Sequence, residues 1–402
     1  MINLEVPKKA GTLINQAYQA AAEVFRPISR KYDRAEHTYP AELDMFAALL
    51  DGLNSSGEGG AGAAGVRRSE KNEKPGNRNG SNLNIVLGTI EMCWGDVGLL
   101  LSMPRQGLGN AAIGSVATDE QLKKFSGLWA AMAITEPDCG SDSAAITATA
   151  RLDGDEYVIN GEKIFVTAGE RADAVVVWAT LDKTKGRAAI KSFVVEKGTP
   201  GFEVVRVEHK LGIRASDTAV LRFENVRVPK ENLLGTPDID TAKGFAGVMQ
   251  TFDNTRPLVA AMAIGVARAA LEETRKILTD AGVTIDYDKP VHSQHAAAAT
   301  FLQLEADYES AYLLTMESAW MADNRKPNSL QASMAKAKAG RSVVEITLKC
   351  VELAGTLGYT EESLLEKWSR DAKILDIFEG TQQIQQLIVA RRILGKTSAE
   401  LK

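Results

Sequence analysis

Along the first third of the chain, apolar side chains recur every three to four positions. Residues 13–30 and 40–53 mix Ala and Leu with charges at that spacing, which predicts amphipathic helices. The stretch 54–82 breaks the pattern: it is poor in apolar residues and rich in Gly, Ser, Asn and charge, the composition of a long surface loop. Helical spacing resumes over 83–108. From about Trp129 the period changes. Residues 157–166 read as two short runs joined by Asn160-Gly161, which predicts a hairpin turn. Further β-rich runs follow at 174–180, 190–196, 202–207 and 218–228, set apart by turn residues such as Lys185-Gly186 and Thr199-Pro200-Gly201. After Gly235 helices return. Leu258, Met262 and Val266 fall four apart, and Phe301, Leu304, Tyr308 and Tyr312 mark a second stripe. Asn324 to Pro327 interrupts the chain, Ser329 suits the N-cap of the next helix, Gly355 to Gly358 ends it, and a last helix runs from beyond Gly380 to Leu394. The pattern predicts a mainly helical α+β fold in three parts: a helical domain over 1–128, a β domain over 129–238 and a helical bundle over 239–402.

Charge and cysteine usage narrow the class. The chain of 402 residues carries 47 basic and 52 acidic side chains, a net charge of −5, with no long basic run, so neither nucleic acid nor an anionic membrane is an expected partner. Cys93, Cys139 and Cys350 are widely spaced and form no Cys-x-x-Cys pair, which argues against a disulfide framework or zinc site and for a reducing compartment. The longest apolar run, 257–267, is well short of the ~20 residues that span a bilayer. No signal-type segment opens the chain, so a soluble cytoplasmic protein is expected.

Several short motifs carry little. Gly57, Gly59 and Gly62 satisfy Gly-x-Gly-x-x-Gly, but no strand precedes them, so they read as loop. His292 and His295 are spaced to share a helix face, yet no acid completes a metal set, and no metal is expected. Gly-x-Ser-x-Gly and His-Glu-x-x-His are absent.

Three segments do carry chemistry. In Ala133-Ile134-Thr135-Glu136-Pro137-Asp138-Cys139-Gly140-Ser141-Asp142, clustered Thr, Ser and Gly are suited either to present backbone N–H groups to a heterocycle or to cap a loop between domains. Phe252-Asp253-Asn254-Thr255-Arg256-Pro257 leads into an apolar helix, and its Arg is a ligand contact or a structural ion pair. In Ile374-Leu375-Asp376-Ile377-Phe378-Glu379-Gly380-Thr381, Glu379 either caps the following helix or, in apolar surroundings that raise its pKa, serves as a general base.

With these segments in order, the sequence resembles the acyl-CoA dehydrogenase family over nearly its whole length. The resemblance runs through Thr135-Glu136-Pro137, Gly140-Ser141-Asp142, Asn160-Gly161-Glu162-Lys163, Thr167, Lys210-Leu211-Gly212, Arg227-Val228-Pro229, Thr255-Arg256-Pro257, Arg370-Asp371-Ala372-Lys373 and Glu379-Gly380-Thr381. It implies FAD, an acyl-CoA substrate and α,β-dehydrogenation to a trans-2-enoyl-CoA, as in fatty-acid β-oxidation, with electrons passed to an electron-transfer flavoprotein or similar acceptor. In the family a glutamate removes the α-proton while a hydride leaves the β-carbon for flavin N5. Its backbone N–H and a flavin ribityl hydroxyl stabilise charge on the thioester oxygen.

Residue by residue, the resemblance makes Glu379 the base. Some members carry the base just before the Arg of the first C-terminal helix; that position here is Thr255, which cannot serve. Met132, Ile134, Thr135, Gly140, Ser141, Phe165 (in place of a frequent Trp), Val166 and Thr167 are implied at the flavin, and Thr381 and Gln383 toward its adenosine end. Ser141, Asp253, Arg256 and Gly380 are implied on the substrate side.

Two departures concern assembly. Family homo-oligomers carry Arg-x-x-Phe-Gly reaching a neighbour's FAD pyrophosphate, where this chain has Val283-Thr284-Ile285-Asp286-Tyr287-Asp288-Lys289 ahead of Gln294. The family's Gln-x-x-Gly-Gly-x-Gly reads Glu352-Leu353-Ala354-Gly355-Thr356-Leu357-Gly358. Acids near a diphosphate repel it at short range. The chain is therefore expected either as the catalytic partner in a hetero-oligomer whose related subunit supplies the arginine, or as a homo-oligomer, dimer or tetramer, that holds the pyrophosphate by another group such as Lys289. A non-catalytic, FAD-poor subunit and an oxidase or monooxygenase on the same fold are the alternatives, and the retained Glu379 speaks against both.

Overall fold

The computed structural model describes residues 4–55, 80–104, 108–239, 246–397 and 400. Gly57, Gly59 and Gly62, and with them most of the 54–82 loop, lie outside that set.

The helical–β–helical order read from the pattern is present. Helix α1 (Gly11–Ala20) passes through a π-helical turn (Ala21–Phe25) into α2 (Arg26–Arg34). The wider turn sits where Pro27 cannot donate to the carbonyl one turn back. Then come α3 (Glu42–Ser55), α4 (Ser81–Gly95), α5 (Val97–Leu101), α6 (Leu108–Val116) and α7 (Asp119–Phe125). Asp96 caps α5, accepting from Leu99 N–H at 2.8 Å.

The strands are β1 (Ala130–Ala133), β2 (Thr149–Asp153), β3 (Glu156–Thr167), β4 (Ala174–Thr180), β5 (Ile190–Glu196), β6 (Phe202–Val207) and β7 (Thr218–Pro229). β4 pairs parallel with β1 and antiparallel with β5, while β2, β3, β7 and β6 follow one another antiparallel. The two groups meet at the Thr149–Thr180 pair, so the sheet curls on itself. Every residue of β4 is buried, which explains its unbroken Ala-Val-Val-Val-Trp run.

The hairpin falls elsewhere than Asn160-Gly161. β3 runs straight through those residues, and the two-residue turn is Gly154-Asp155, between the paired Asp153 and Glu156. Gly154 takes a φ of 64°, as a tight hairpin turn requires. Gly161 serves another need: a Cβ there would stand 2.6 Å from the Ala148 Cβ.

The C-terminal helices are α8 (Ala246–Asp280), α9 (Ala296–Asp323), α10 (Ser329–Ala354), the short α11 (Thr356–Tyr359), α12 (Leu365–Leu375) and α13 (Gln382–Leu394). α8 starts well before Pro257 and runs through it, forfeiting the bond to the carbonyl of residue 253. Ser329 is the first helical residue of α10, and Asn328 takes the cap position. Ala-rich faces of α8 and α10 close on α4 and α9 in one apolar core containing Ile90, Ile264, Phe301 and Val343.

α12 is held by buried charge. Lys367 donates to Asp96 at 2.7 Å and to Asp371 at 2.6 Å, and Asp371 accepts from Ile213 N–H at 2.5 Å. Arg370 bonds Asp33 at 2.7 Å and the Leu211 carbonyl at 3.0 Å. The helix that leads to Glu379 is thereby tied to the N-terminal helices and to the 211–213 turn.

Candidate active site

After α12 the chain does not enter α13 directly. It makes a turn in which Glu379 has φ 57° and Gly380 φ 92°. A left-handed Glu costs roughly 1–2 kcal/mol relative to ordinary backbone, so the turn needs support, and two helices supply it. Gln385 Nε2 of α13 donates to the Glu379 carbonyl at 3.0 Å and to the Gly380 carbonyl at 3.2 Å. Lys336 Nζ of α10 donates to the Gly380 carbonyl at 2.8 Å. Glycine suits 380 because a φ of 92° strains any other residue, and a Cβ would also push aside the Gln385 amide 2.5 Å away, which holds the turn.

The Glu379 carboxylate accepts from the Thr255 hydroxyl at 2.8 Å. Desolvation pushes its pKa above the usual carboxylate range, opposed by the Thr255 hydrogen bond and by the charges of Arg256 and Lys336. Glu379 does not cap α13: Thr381 does, its hydroxyl accepting from Ile384 N–H. Arg256, implied on the substrate side, is 3% exposed, and its charge falls on the base turn. Asp253 lies on α8 in the part whose side chains are outside the described set.

A second group forms where β1 meets β3. The Thr135 carbonyl accepts from Ile164 N–H at 2.9 Å, and the Ile134 carbonyl accepts from Lys163 Nζ at 2.9 Å. Lys163 is wholly buried and pairs with Glu136 at 2.8 Å. Glu136 also accepts from Thr147 N–H and Ala148 N–H at 2.6 and 3.0 Å, so one carboxylate closes the 136–148 loop. Burial pushes Glu136 up, but the Lys163 bond and charge and the two backbone donors win and hold it below its ordinary pKa.

This pair is the physical reason for the Thr-Glu-Pro and Asn-Gly-Glu-Lys signatures. It brings Ile134 and Thr135 against Lys163 and Ile164, next to Phe165 in the chain. Met132 lies on β1 opposite Val176, while Gly140 and Ser141 lie exposed on the closed loop.

Phe165 stands at a bulge in β3, where pairing to β7 slips between Lys163 and Val166, with φ 55° and 63% of its surface exposed. Bulges re-aim side chains, and this one turns an aromatic ring outward. Val166 and Thr167 rejoin the ladder opposite Ala219 and Thr218. Gln383 is exposed on the first turn of α13, whereas the Gln382 and Gln385 side-chain oxygens are buried acceptors without a donor. Beyond Gly140 there is open space, the nearest atom being Thr135 Cγ2 at 3.9 Å from where a Cβ would stand. An exposed aromatic face, a loop edge of small residues and unfilled buried acceptors fit a flat heterocycle bearing N–H and O–H groups, as FAD does.

The stretch 283–294 folds onto itself. Asp286 N–H donates to Gln294 Oε1 at 3.0 Å, Lys289 pairs with Asp286 at 3.1 Å, and Tyr287 donates its hydroxyl to Glu305 at 2.7 Å. His292 and His295 do not share a helix face. His292 sits in a 3₁₀ turn, and His295 caps α9, accepting from Ala297 N–H at 3.2 Å. Among the described residues, Glu36, His37 and His209 are the acid and imidazoles near enough to share a metal ion. Glu36 is already engaged there by Lys210 N–H at 2.8 Å and by Arg214 at 3.1 Å.

Sequence reasoning missed Lys336 and Gln385. The signal for Lys336 was available: it falls on the small-residue face formed by Ala332, Ala335 and Ala339, where a lysine is out of place.

Two family models match the chain: the acyl-CoA dehydrogenase middle domain over residues 131–226 and the acyl-CoA dehydrogenase C-terminal domain over 242–394. The short-chain specific acyl-CoA dehydrogenase of Clostridium acetobutylicum is 34% identical over 390 residues, 95% of this chain and 97% of its own. The mitochondrial short-chain specific enzyme of Bos taurus is 40% identical over 262 residues, 65% of this chain and 62% of its own. Among solved structures, butyryl-CoA dehydrogenase from Megasphaera elsdenii superposes with a TM-score of 0.80 at 28% identity, covering 98% of this chain and 100% of that one. A chain from work on the electron transferring flavoprotein of Acidaminococcus fermentans gives 0.81 at 30% identity, with coverage of 98% and 100%.

Proposed function

This chain belongs to the acyl-CoA dehydrogenase family, FAD-dependent oxidoreductases that dehydrogenate acyl-CoA thioesters, and on that premise we propose that Glu379 is its α-proton base. The observation that carries the assignment is the desolvated Glu379 carboxylate, held by Thr255 at the end of a clamped turn. A carboxylate whose pKa is raised is, once ionised, a stronger base than one in water. Its task is to take the proton from the carbon next to the thioester. The negative charge that then develops on the thioester oxygen is met by the Glu379 backbone N–H. FAD, when bound, supplies the acceptor for the hydride that leaves the β-carbon. Ile134, Thr135, Ser141, Phe165 and Thr167 would hold its ring system, and Thr381 and Gln383 its adenosine end. The product is the trans-2-enoyl-CoA.

Anaerobic titration of the FAD-loaded protein with butyryl-CoA and longer acyl-CoAs tests this reading. The wild type bleaches its flavin absorbance. Glu379→Gln keeps FAD and loses turnover by at least ~100-fold, the scale of a missing general base. Unimpaired bleaching in that variant would remove Glu379 from the role.

The physiological acceptor in this reading is an electron-transfer flavoprotein. The similarity to a chain studied with such a flavoprotein supports it, and reduction of a purified one in the presence of butyryl-CoA tests it. The setting is the cytoplasm; among the described residues no helix is long and apolar enough to cross a membrane. For assembly, the acids at 286 and 288 and the Lys289–Asp286 pair favour a related subunit that supplies the pyrophosphate arginine. A homo-oligomer of full FAD content, seen by size-exclusion mass and absorbance, would defeat that.

A further inference from the structure

Burying an ammonium costs several kcal/mol unless its surroundings answer the charge. Lys163, Lys336 and Lys367 are all among the largest fully or nearly fully buried side chains. Lys163 and Lys367 are answered by carboxylates at hydrogen-bond distance, Glu136 in one case and Asp96 and Asp371 in the other. Lys336, 0% exposed, differs: its ammonium donates to the backbone carbonyl of Gly380 at 2.8 Å. That carbonyl belongs to the residue after Glu379, inside a turn whose two residues both have left-handed backbone.

We propose that Lys336 is a positioning residue for proton abstraction, its buried ammonium clamping the Glu379–Gly380 turn through the Gly380 carbonyl and setting a positive charge beside the Glu379 carboxylate where it meets Thr255. The inference rests on Glu379 being the base.

Two physical effects act together. The first is geometric. Left to itself, Glu379 would leave φ 57° for an ordinary region of backbone space and carry its carboxylate away from α8. Gln385 and Lys336 oppose this from different helices by holding the turn's carbonyls. The second is electrostatic. The described groups that act on Glu379 are Thr255 and Arg256 on α8 and Lys336 on α10; Asp376, at the end of α12, faces Lys336 and is itself offset by Arg341 at 3.8 Å and Lys373 at 3.6 Å. Arg256 and Lys336 are the cations whose fields fall on the carboxylate, and both oppose the desolvation that would protonate it. Burial in turn draws Lys336 itself down to about 8, the cost of placing the charge there.

The test compares Lys336→Met, Lys336→Gln and Lys336→Arg with Glu379→Gln in the FAD-loaded enzyme, using butyryl-CoA. Lys336→Met should lower kcat by about 10- to 100-fold, within the range a displaced general base loses, with KM little changed. It should also move the acid limb of kcat/KM to higher pH by about one unit, each unit being a tenfold change in the ionisation constant. Lys336→Gln keeps a donor for the Gly380 carbonyl and loses the charge, so it should show the limb shift with a smaller fall in kcat. Lys336→Arg should restore the wild-type limb.

A variant that melts lower but keeps the wild-type acid limb would reduce Lys336 to a structural residue and overturn the proposal. Where Lys336→Met does not fold, the limb of Lys336→Gln decides alone. If Glu379→Gln retained turnover, the assignment of the base would fail instead, a result separable from any behaviour of the Lys336 variants.

Discussion

Thr255 and Glu379 lie 124 residues apart in the chain and 2.8 Å apart in space, joined by a hydrogen bond from hydroxyl to carboxylate. The two positions at which family members carry the base are thus two ways into one point, one from α8 and one from the turn after α12.

That convergence makes the base movable. Glu379→Gly removes the carboxylate and suits a residue at φ 57°, and it should abolish turnover. Adding Thr255→Glu brings a carboxylate to the same point from α8. The double variant should regain at least about tenfold over Glu379→Gly alone, a fraction of what a well-placed base contributes. Steady-state turnover with butyryl-CoA measures it; equal inactivity of the single and double variants would refute the convergence.

Glu379 also links activity to stability. Its pKa is raised on folding by desolvation, so its protonated form favours the fold. The associated stability is complete below the unfolded pKa and is lost as pH rises through the folded value. At pH 7, above the unfolded pKa, the group opposes folding, and Glu379→Gln should melt higher than the wild type. Below the ordinary glutamate range the difference should vanish. Thermal melts across pH 3.5–7.5 follow it.

Lys163→Met would leave Glu136 charged and buried without its partner. Breaking such a pair costs about 3–5 kcal/mol, and the 136–148 loop that Glu136 closes should open. Expected are a lower melting temperature and loss of FAD on gel filtration, read by the ratio of flavin to protein absorbance. Full FAD retention would show that the loop does not depend on the pair.

Phe165 gives the opposite signature. Its ring is largely exposed, so Phe165→Ala should change the stability of the FAD-free protein by no more than ~0.5 kcal/mol. Loss of a ring contact worth ~0.5–1.5 kcal/mol should weaken FAD binding about two- to tenfold, measurable by flavin fluorescence titration. An unchanged affinity would take Phe165 out of the cofactor site.

Much of this was legible beforehand, for identifiable reasons. The strands at 174–180 and 190–196 are dense in β-branched residues and could be read directly, whereas Ala130–Ala133 forms a strand on Ala and Met, whose side chains carry little β signal. Asn160-Gly161 carried the hairpin signal, but the turn is Gly154-Asp155, and Gly161 is instead needed against Ala148. Glu379 stood out by its apolar flanks. The contacts that prepare it did not, because Thr255, Lys336 and Gln385 come from three helices whose convergence is a matter of packing rather than of any local pattern.

Lys367 joins an aspartate that caps a helix of the first hundred residues to one eight residues before the base, and all three groups are at most 2% exposed. A cut between the helical and β parts would leave the Lys367–Asp371 pair in one fragment and Asp96 in the other, a buried aspartate without its cation. The chain divides into three by composition, yet its pieces are not interchangeable modules. Loss of structure at the N-terminal end removes the partner of a lysine in the helix that leads to the base.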